Sequence, residues 1–400
     1  MKKNNINPEV RFARNNDDWV TGRVKDLLLE RNTQSAKSAD YPLMAFVAGK
    51  GVASKGERYN REFLVNDQDN KKYKQTESGD FIYSSNNLET GSIGLNNYGK
   101  ASISPVYSIF QPTEKADSNF IDKLFSKNSF IKQMIRWRQG VVYGQWRIHE
   151  SDFLNISIKY PSKTEQNQLG KYFKQLDQQL KFHEQKHYKI INLKNAMLSK
   201  MFPREDIKSP ELRFKQFKEP WKLIKLNKLA DFNPKSDLPN QFKYVDLESV
   251  SGTKMIGFKK VEKANAPSRA QRLARQGDLF YQTVRPYQKN NHVYDRCDND
   301  FVFSTGYAQL RPNIDSNFLL SLVQNDCFVK SVMIRCTGTS YPAINSNDLS
   351  EIEVLIPKDP LEQEKIGLYF KNLDYLINLH LLEIKKIQDI RKACTDKMLT

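Results

Sequence analysis

The sequence is poor in the residues that build covalent and metal-dependent chemistry. Only four cysteines occur in 400 residues: Cys297, Cys327, Cys336 and Cys394. All lie in the second half and none forms a C-x-x-C pair, which argues against a disulfide framework or a zinc site and fits a reducing cytoplasm. Of the five histidines, only His183 and His187 have the i, i+4 spacing that could hold a metal on a helix. The heptad register of the long helix, set out below, accounts for that spacing without a metal. No run of about twenty apolar residues occurs, so no membrane span is expected. The start Met1-Lys2-Lys3-Asn4-Asn5 leads into no apolar stretch of a secretory leader. Gly49-Lys50-Gly51 lacks the upstream glycine and the following Ser/Thr of a phosphate loop, and no G-x-G-x-x-G follows a strand pattern. The Asn-Pro-Pro-aromatic and Asp-Pro-Pro-aromatic tetrads of amino-methyltransferases are missing too. The chain reads as a binder rather than a catalyst, with no catalytic residue, metal or cofactor of its own.

Negative charge is the other shortage. Against 63 lysines and arginines stand 46 acids, a net charge of +17. Such an excess suggests a polyanionic partner, most simply nucleic acid. The length fits two to four domains, each able to bury a core.

What is present is present twice. Glu165-Gln166-Asn167-Gln168-Leu169-Gly170-Lys171-Tyr172-Phe173 returns 197 residues later as Glu362-Gln363-Glu364-Lys365-Ile366-Gly367-Leu368-Tyr369-Phe370. Pro8-Glu9-Val10-Arg11-Phe12 returns as Pro210-Glu211-Leu212-Arg213-Phe214, and Trp19 is answered by Trp221. Gly79-Asp80 and Gly277-Asp278 also match. Two similar halves present two similar surfaces, so the target is expected to be two-part.

Each half begins with roughly 150 residues of mixed pattern. Short β-rich runs such as Pro42 to Ala48, Phe81 to Tyr83 and Val106 to Phe110 alternate with polar turns. A helix is expected over Phe120 to Arg136 and over Phe318 to Arg335. A strand follows over Phe153 to Tyr160 and Leu349 to Ile356, ended by Pro161 and Pro357. Beyond each proline a long helix is signalled. Ser162 and Glu165 have the spacing of a capping box. Asp359, Pro360 and Glu362 place an acceptor at the N-cap, proline at the first helical position and glutamate at the third. Each helix should run some forty residues, roughly 60 Å. Leu169, Phe173, Leu176, Leu180, His183 and His187 alternate steps of four and three, and Ile366, Phe370, Leu373, Ile377, His380 and Ile384 repeat them. This heptad seam predicts two helices packed together, antiparallel. Two separate helices, each on its own domain, are the alternative. Gly170 and Gly367, at matching positions inside the helices, suggest close backbone approach.

This layout resembles the specificity subunit of type I restriction–modification systems over the full length. The resemblance rests on the duplication and on the two E-Q-x-x-[LI]-G-x-Y-F-x-x-L-D blocks that open the helices. The family's Pro-Pro-Leu-x-Glu-Gln stretch reads Pro357-Lys358-Asp359-Pro360-Leu361-Glu362-Gln363 here, with the capping logic retained. The resemblance implies an α+β fold: two mixed α/β target recognition domains joined by two long antiparallel coiled-coil helices, in an internal pseudo-two-fold repeat. The domains would be 1–160 and 204–357, and the spacer helices 161–203 and 358–400. It further implies a cytoplasmic, non-catalytic subunit that binds double-stranded DNA, each domain reading half of a split site. Its partners would be two DNA methyltransferase subunits with S-adenosylmethionine, and restriction/motor subunits using ATP and Mg²⁺. A stand-alone endonuclease and a coiled-coil scaffold without DNA specificity are the competing readings.

DNA contacts are expected where the halves diverge. Ser84-Ser85-Asn86-Asn87-Leu88-Glu89-Thr90 faces Gln282-Thr283-Val284-Arg285-Pro286-Tyr287-Gln288 after a matched strand. Asn and Gln suit adenine, and Arg and Lys suit guanine, which selects Asn86, Asn87, Arg285, Tyr287, Lys289 and Asn291. An ordinary hydrophilic hairpin is the plainer alternative. A second segment offers Arg136, Arg138, Tyr143 and Arg147, matched by Arg335 and Tyr341. A third set, Arg269, Arg272 and Arg275, has the spacing of one helix face and could track phosphates.

Overall fold

The structure, a computed structural model, describes residues 7–54, 72–141, 145–204 and 207–399. Its two longest elements are the helices Lys163–Lys200 and Pro360–Met398, of 38 and 39 residues. The chain divides into two compact units, residues 1–182 with 383–400, and residues 183–382. Each unit therefore contains the beginning of one long helix and the end of the other. Among the described residues no helix is long and apolar enough to cross a membrane.

In the first unit Leu28–Glu30, Ser108–Pro112, Phe81–Tyr83 and Ile93–Leu95 form a four-stranded antiparallel sheet in that order. Val20–Arg23 pairs with Ser157–Tyr160, the strand that feeds the long helix. The second unit repeats both motifs. Ala230–Phe232, Tyr307–Pro312, Leu279–Gln282 and His292–Val293 form its sheet, and Lys222–Lys225 pairs with Glu353–Ile356. Its second sheet has four strands, with Gln241–Val245 and Phe301–Ser304 parallel; in the described residues of the first unit Gln34–Ser35, Tyr73–Thr76 and Ala101–Ile103 form a three-stranded sheet.

The expected helix over Phe120 to Arg136 is two helices, Ser118–Phe125 and Asn128–Ile135; its counterpart is Ser316–Gln324 and Asp326–Ile334. In the second unit the break is capped: Asn325 Oδ1 accepts from Cys327 N at 2.7 Å, which starts a new helix. The expected strands over Phe153 to Tyr160 and Leu349 to Ile356 are shorter. Their first residues close the helical turns Glu150–Leu154 and Ser346–Ser350.

The repeated residues hold each long helix to its sheet. The Glu165 carboxylate accepts from Arg11 Nε at 2.9 Å and Nη2 at 2.6 Å, and from Trp19 Nε1 at 3.4 Å. Glu362 takes the same three bonds from Arg213, at 2.6 and 2.8 Å, and Trp221, at 3.4 Å. Both carboxylates are buried, and a buried charge needs such a fork to offset its desolvation. The capping box is thus half-formed. Ser162 Oγ accepts from Glu165 N at 3.5 Å, but the Glu165 carboxylate goes to Arg11 instead of returning to the cap. Gln166 and Gln363 donate back to the carbonyls of Pro161 and Pro357, at 3.0 and 2.9 Å. Gly170 and Gly367 mark the close approach. A Cβ on Gly170 would overlap the Asp117 carboxylate, and one on Gly367 the carboxylate of Asp315.

Within each unit the two helix segments run antiparallel. In the first unit Tyr172 Oη lies 3.6 Å from Cys394 Sγ, Asp177 pairs with Arg391 at 3.2 Å, and Leu180 and Ile387 share one core. In the second unit His183 Nδ1 and His380 Nδ1 are 3.0 Å apart, and Lys194 reaches Asp374 at 2.5 Å. The heptad spacing is the seam of this pairing. His183 and His380 thus meet as polar seam partners, and no group of three or more potential metal ligands occurs among the described residues.

Candidate nucleic-acid interface

In both units the sheet strand after the matched Gly-Asp turn leads into the divergent loop. Gly79 and Gly277 adopt φ of 90° and 92°, which only glycine takes without strain. This brings Asp80 to Arg31 at 2.9 Å and Asp278 to Arg311 at 2.9 Å. Tyr83 and Tyr281 on the following strand are fully buried, so the loop is the first segment able to face a ligand.

The second unit's loop is braced from several sides. Gln282 Nε2 donates to Val284 O at 2.6 Å and Gln288 Oε1 at 2.8 Å, and Gln282 N donates to Asn291 Oδ1 at 2.8 Å. Arg285 N donates to Pro342 O at 2.7 Å, and Ile344 N to Thr283 O at 3.0 Å. Gln324 Nε2 donates to Lys289 O at 2.9 Å. Arg285 and Lys289 both sit in the left-handed region, at φ of 52° and 58°. Non-glycine residues stay there only where surrounding contacts over-determine the backbone. The Arg285 guanidinium stacks on Tyr341, 4.2 Å from the ring centroid. Tyr341 is 65% and Tyr287 49% exposed, and Arg335 is exposed at the end of the Asp326–Ile334 helix.

The first unit fills the same place differently. Its loop wraps around buried Leu88. Asn86 Oδ1 accepts from Trp146 N at 2.6 Å, tying the loop to the hairpin Gln139–Val141 with Gln145–Arg147. Asn86 and Asn87 are exposed, as are Arg136, Trp137 and Trp146. Arg147 points outward with a weak 3.5 Å contact to Glu150.

Other expected contacts are placed elsewhere. Arg138 is committed to Glu89 by two 2.7 Å bonds, a planar fork that holds the Glu89 carboxyl below its usual range. Asn291 is 1% exposed and serves as a brace inside the loop. Lys289 pairs with Asp326 at 2.5 Å. Tyr143 lies outside the described residues. Arg269, Arg272 and Arg275 do not line a helix. Ala270–Leu273 is a strand paired with Phe301–Ser304, with an irregularity between Ala270 and Arg272. The apolar Ala270 and Leu273 at its ends pack on the sheet, and that burial overrides the arginine spacing. Arg269 and Arg275 are exposed, whereas Arg272 is half-buried and burial lowers its guanidinium pKa. Trp137 and Trp146, which flank the selected arginines and were not among the expected contacts, are exposed beside them.

Three comparisons bear on this geometry. The model of the family described as "Type I restriction modification DNA specificity domain" matches residues 16–192 and 268–389. The MjaVIII type I restriction enzyme specificity subunit of Methanocaldococcus jannaschii is 23% identical, over 98% of this chain and 94% of its own length. The crystal structure of a type I restriction–modification S subunit from M. genitalium shares the fold. Its TM-score is 0.64 at 15% identity, over 98% of this chain and 99% of that one.

Proposed function

Because the chain belongs to the type I restriction–modification DNA specificity family, we propose that its two units each read one part of a split double-stranded DNA site. The observation that carries this reading is a contrast between the halves. The clamps Arg11–Glu165–Trp19 and Arg213–Glu362–Trp221 are the same in both units. The loops after the matched strands differ: exposed Asn86 and Asn87, with the exposed Trp137 and Trp146, in one unit, and half-buried Arg285, with the exposed Tyr287 and Tyr341, in the other. A conserved frame under a divergent polar and aromatic surface suits two readers of different sequence. The charge of +17 supplies attraction to phosphates.

In this reading the chain itself carries out no bond-making step. It brings two DNA methyltransferase subunits, which hold S-adenosylmethionine, onto adenines in the two half-sites. ATP- and Mg²⁺-dependent restriction subunits complete the assembly, in the cytoplasm. The paired helices serve as the spacer between half-sites. Their exposed Leu379, Leu381 and Leu382 are part of the docking surface for a methyltransferase. The test is to map methylated adenines in DNA from cells with and without the gene. A split motif that disappears with the gene is expected; an unchanged methylation pattern overturns the reading.

A further inference from the structure

Resting on that reading, we infer that Arg285 is the residue with which the second unit reads a guanine, and that Tyr341 positions it. Three observations converge on this pair. First, the guanidinium lies over the exposed Tyr341 ring, 4.2 Å from its centroid, a contact that restrains a side chain otherwise free to swing. Second, no carboxylate or carbonyl accepts from that guanidinium among the described residues. Arg11, Arg138, Arg213 and Arg311, by contrast, are each engaged by a carboxylate. Third, the backbone at Arg285 is held left-handed by Pro342 O and by the Gln282 brace. Its presentation is therefore built into the loop rather than sampled by a free side chain.

A planar fork held in one orientation matches the O6 and N7 acceptors of guanine in the major groove. A phosphate can take the same fork, and the sequence dependence of the Arg285→Ala variant separates the two. The exposed ring of Tyr287 lies two residues away, and such a surface can follow base edges. The aligned position in the first unit is Asn87, and the nearby Arg138 is bound to Glu89. The first unit therefore lacks this reader, and the two half-sites should differ in it.

The experiment uses the full chain reconstituted with its methyltransferase subunits, and sequences the modified DNA. The wild-type complex is expected to modify a split site with an obligatory G·C pair in one part. Arg285→Ala should lower the preference at that one base pair by about 10- to 100-fold, with the rest of the site unchanged. Arg285→Gln should move the preference there toward A·T. It supplies a second reading should the alanine variant fold poorly. Tyr341→Ala should weaken the same position alone, and Tyr341→Phe should restore it. The inference is overturned if Arg285→Ala slows modification of all sequences equally, the mark of a phosphate contact, or leaves every preference intact. It is overturned in its positioning part if Tyr341→Ala reads like wild type. A wild-type complex that modifies no split site would instead refute the underlying function, a distinguishable result.

Discussion

Replacing Gly367 by alanine sets two effects of opposite sign against each other. Inside a helix alanine is favoured over glycine by about 1 kcal/mol, so propensity alone forecasts a more stable protein. The surroundings say otherwise. A Cβ at 367 would overlap the Asp315 carboxylate, and it would lie 2.7 Å from Phe318 N and 3.1 Å from Asn317 C. Asp315 caps the helix Ser316–Gln324 by accepting from Phe318 N at 2.7 Å. Overpacking of this kind costs about 1–3 kcal/mol, and losing the cap about 1 kcal/mol more. The clash therefore outweighs propensity, with a net loss of about 1–3 kcal/mol. In a unit of this size each kcal/mol lowers the melting temperature by roughly 2–4 °C. Gly170→Ala should act in the same direction, since its Cβ would overlap the Asp117 carboxylate and lie 3.0 Å from Phe120 N. Thermal and urea unfolding of both variants is the assay. Combining Gly367→Ala with Asp315→Ala should cost less than the sum of the two, because the alanine at 315 removes the obstructing carboxylate. A rise in melting temperature for Gly367→Ala, or strict additivity with Asp315→Ala, would refute the close-approach argument.

Three further outcomes are expected. Glu362→Ala leaves the Arg213 guanidinium without its carboxylate and should destabilise the second unit by about 3–5 kcal/mol in urea unfolding; a cost under about 1 kcal/mol would put the clamp among ordinary surface pairs. Burial, helped by His183, Lys186 and His187, pushes the His380 imidazole below the usual histidine range. The unfolded chain then binds the proton more readily, so stability is full above the unfolded pKa of about 6.5 and falls as pH drops below it. His380→Leu should flatten the urea midpoint between pH 7 and pH 5, and an unchanged slope would sink this assignment. Matched four-residue insertions after Phe182 and Leu382 should lengthen both helices by roughly 6 Å while nearly keeping their facing. The preferred gap between half-sites should then grow by up to about two base pairs at 3.4 Å each. An active insertion variant with an unchanged gap would leave the helices a docking role only.

The long helices were legible because their information is periodic and written twice. A heptad seam survives any ignorance of what lies beside it, so Leu169, Phe173 and Leu176 marked the buried face correctly. The clamp was visible only in part. Arg11, Trp19 and Glu165 recur together as Arg213, Trp221 and Glu362, yet Arg11 and Glu165 are 154 residues apart. Local spacing instead suggested a capping box, and the long-range partner won the carboxylate. The arginines at 269, 272 and 275 misled for the same reason: their spacing is helical, but Ala270 and Leu273 answer to a neighbouring strand. In the loops selected for DNA contact, residue type did not reveal which side chains face solvent and which brace the backbone. Whether Asn291 faces solvent or braces Gln282 depends on a turn that composition does not encode. Nothing in the chemistry of Arg138 distinguishes a free guanidinium from one forked to Glu89, 49 positions earlier.

Two units that read separately are the centre of this account, and a regional exchange tests that most directly. Residues 225–345 would be replaced by the matching region of a relative with a different, known modified sequence, and methylated adenines mapped with the reconstituted complex. One part of the split site should change to the relative's sequence while the other part stays as it was. A change in both parts at once, or in neither, would contradict the account.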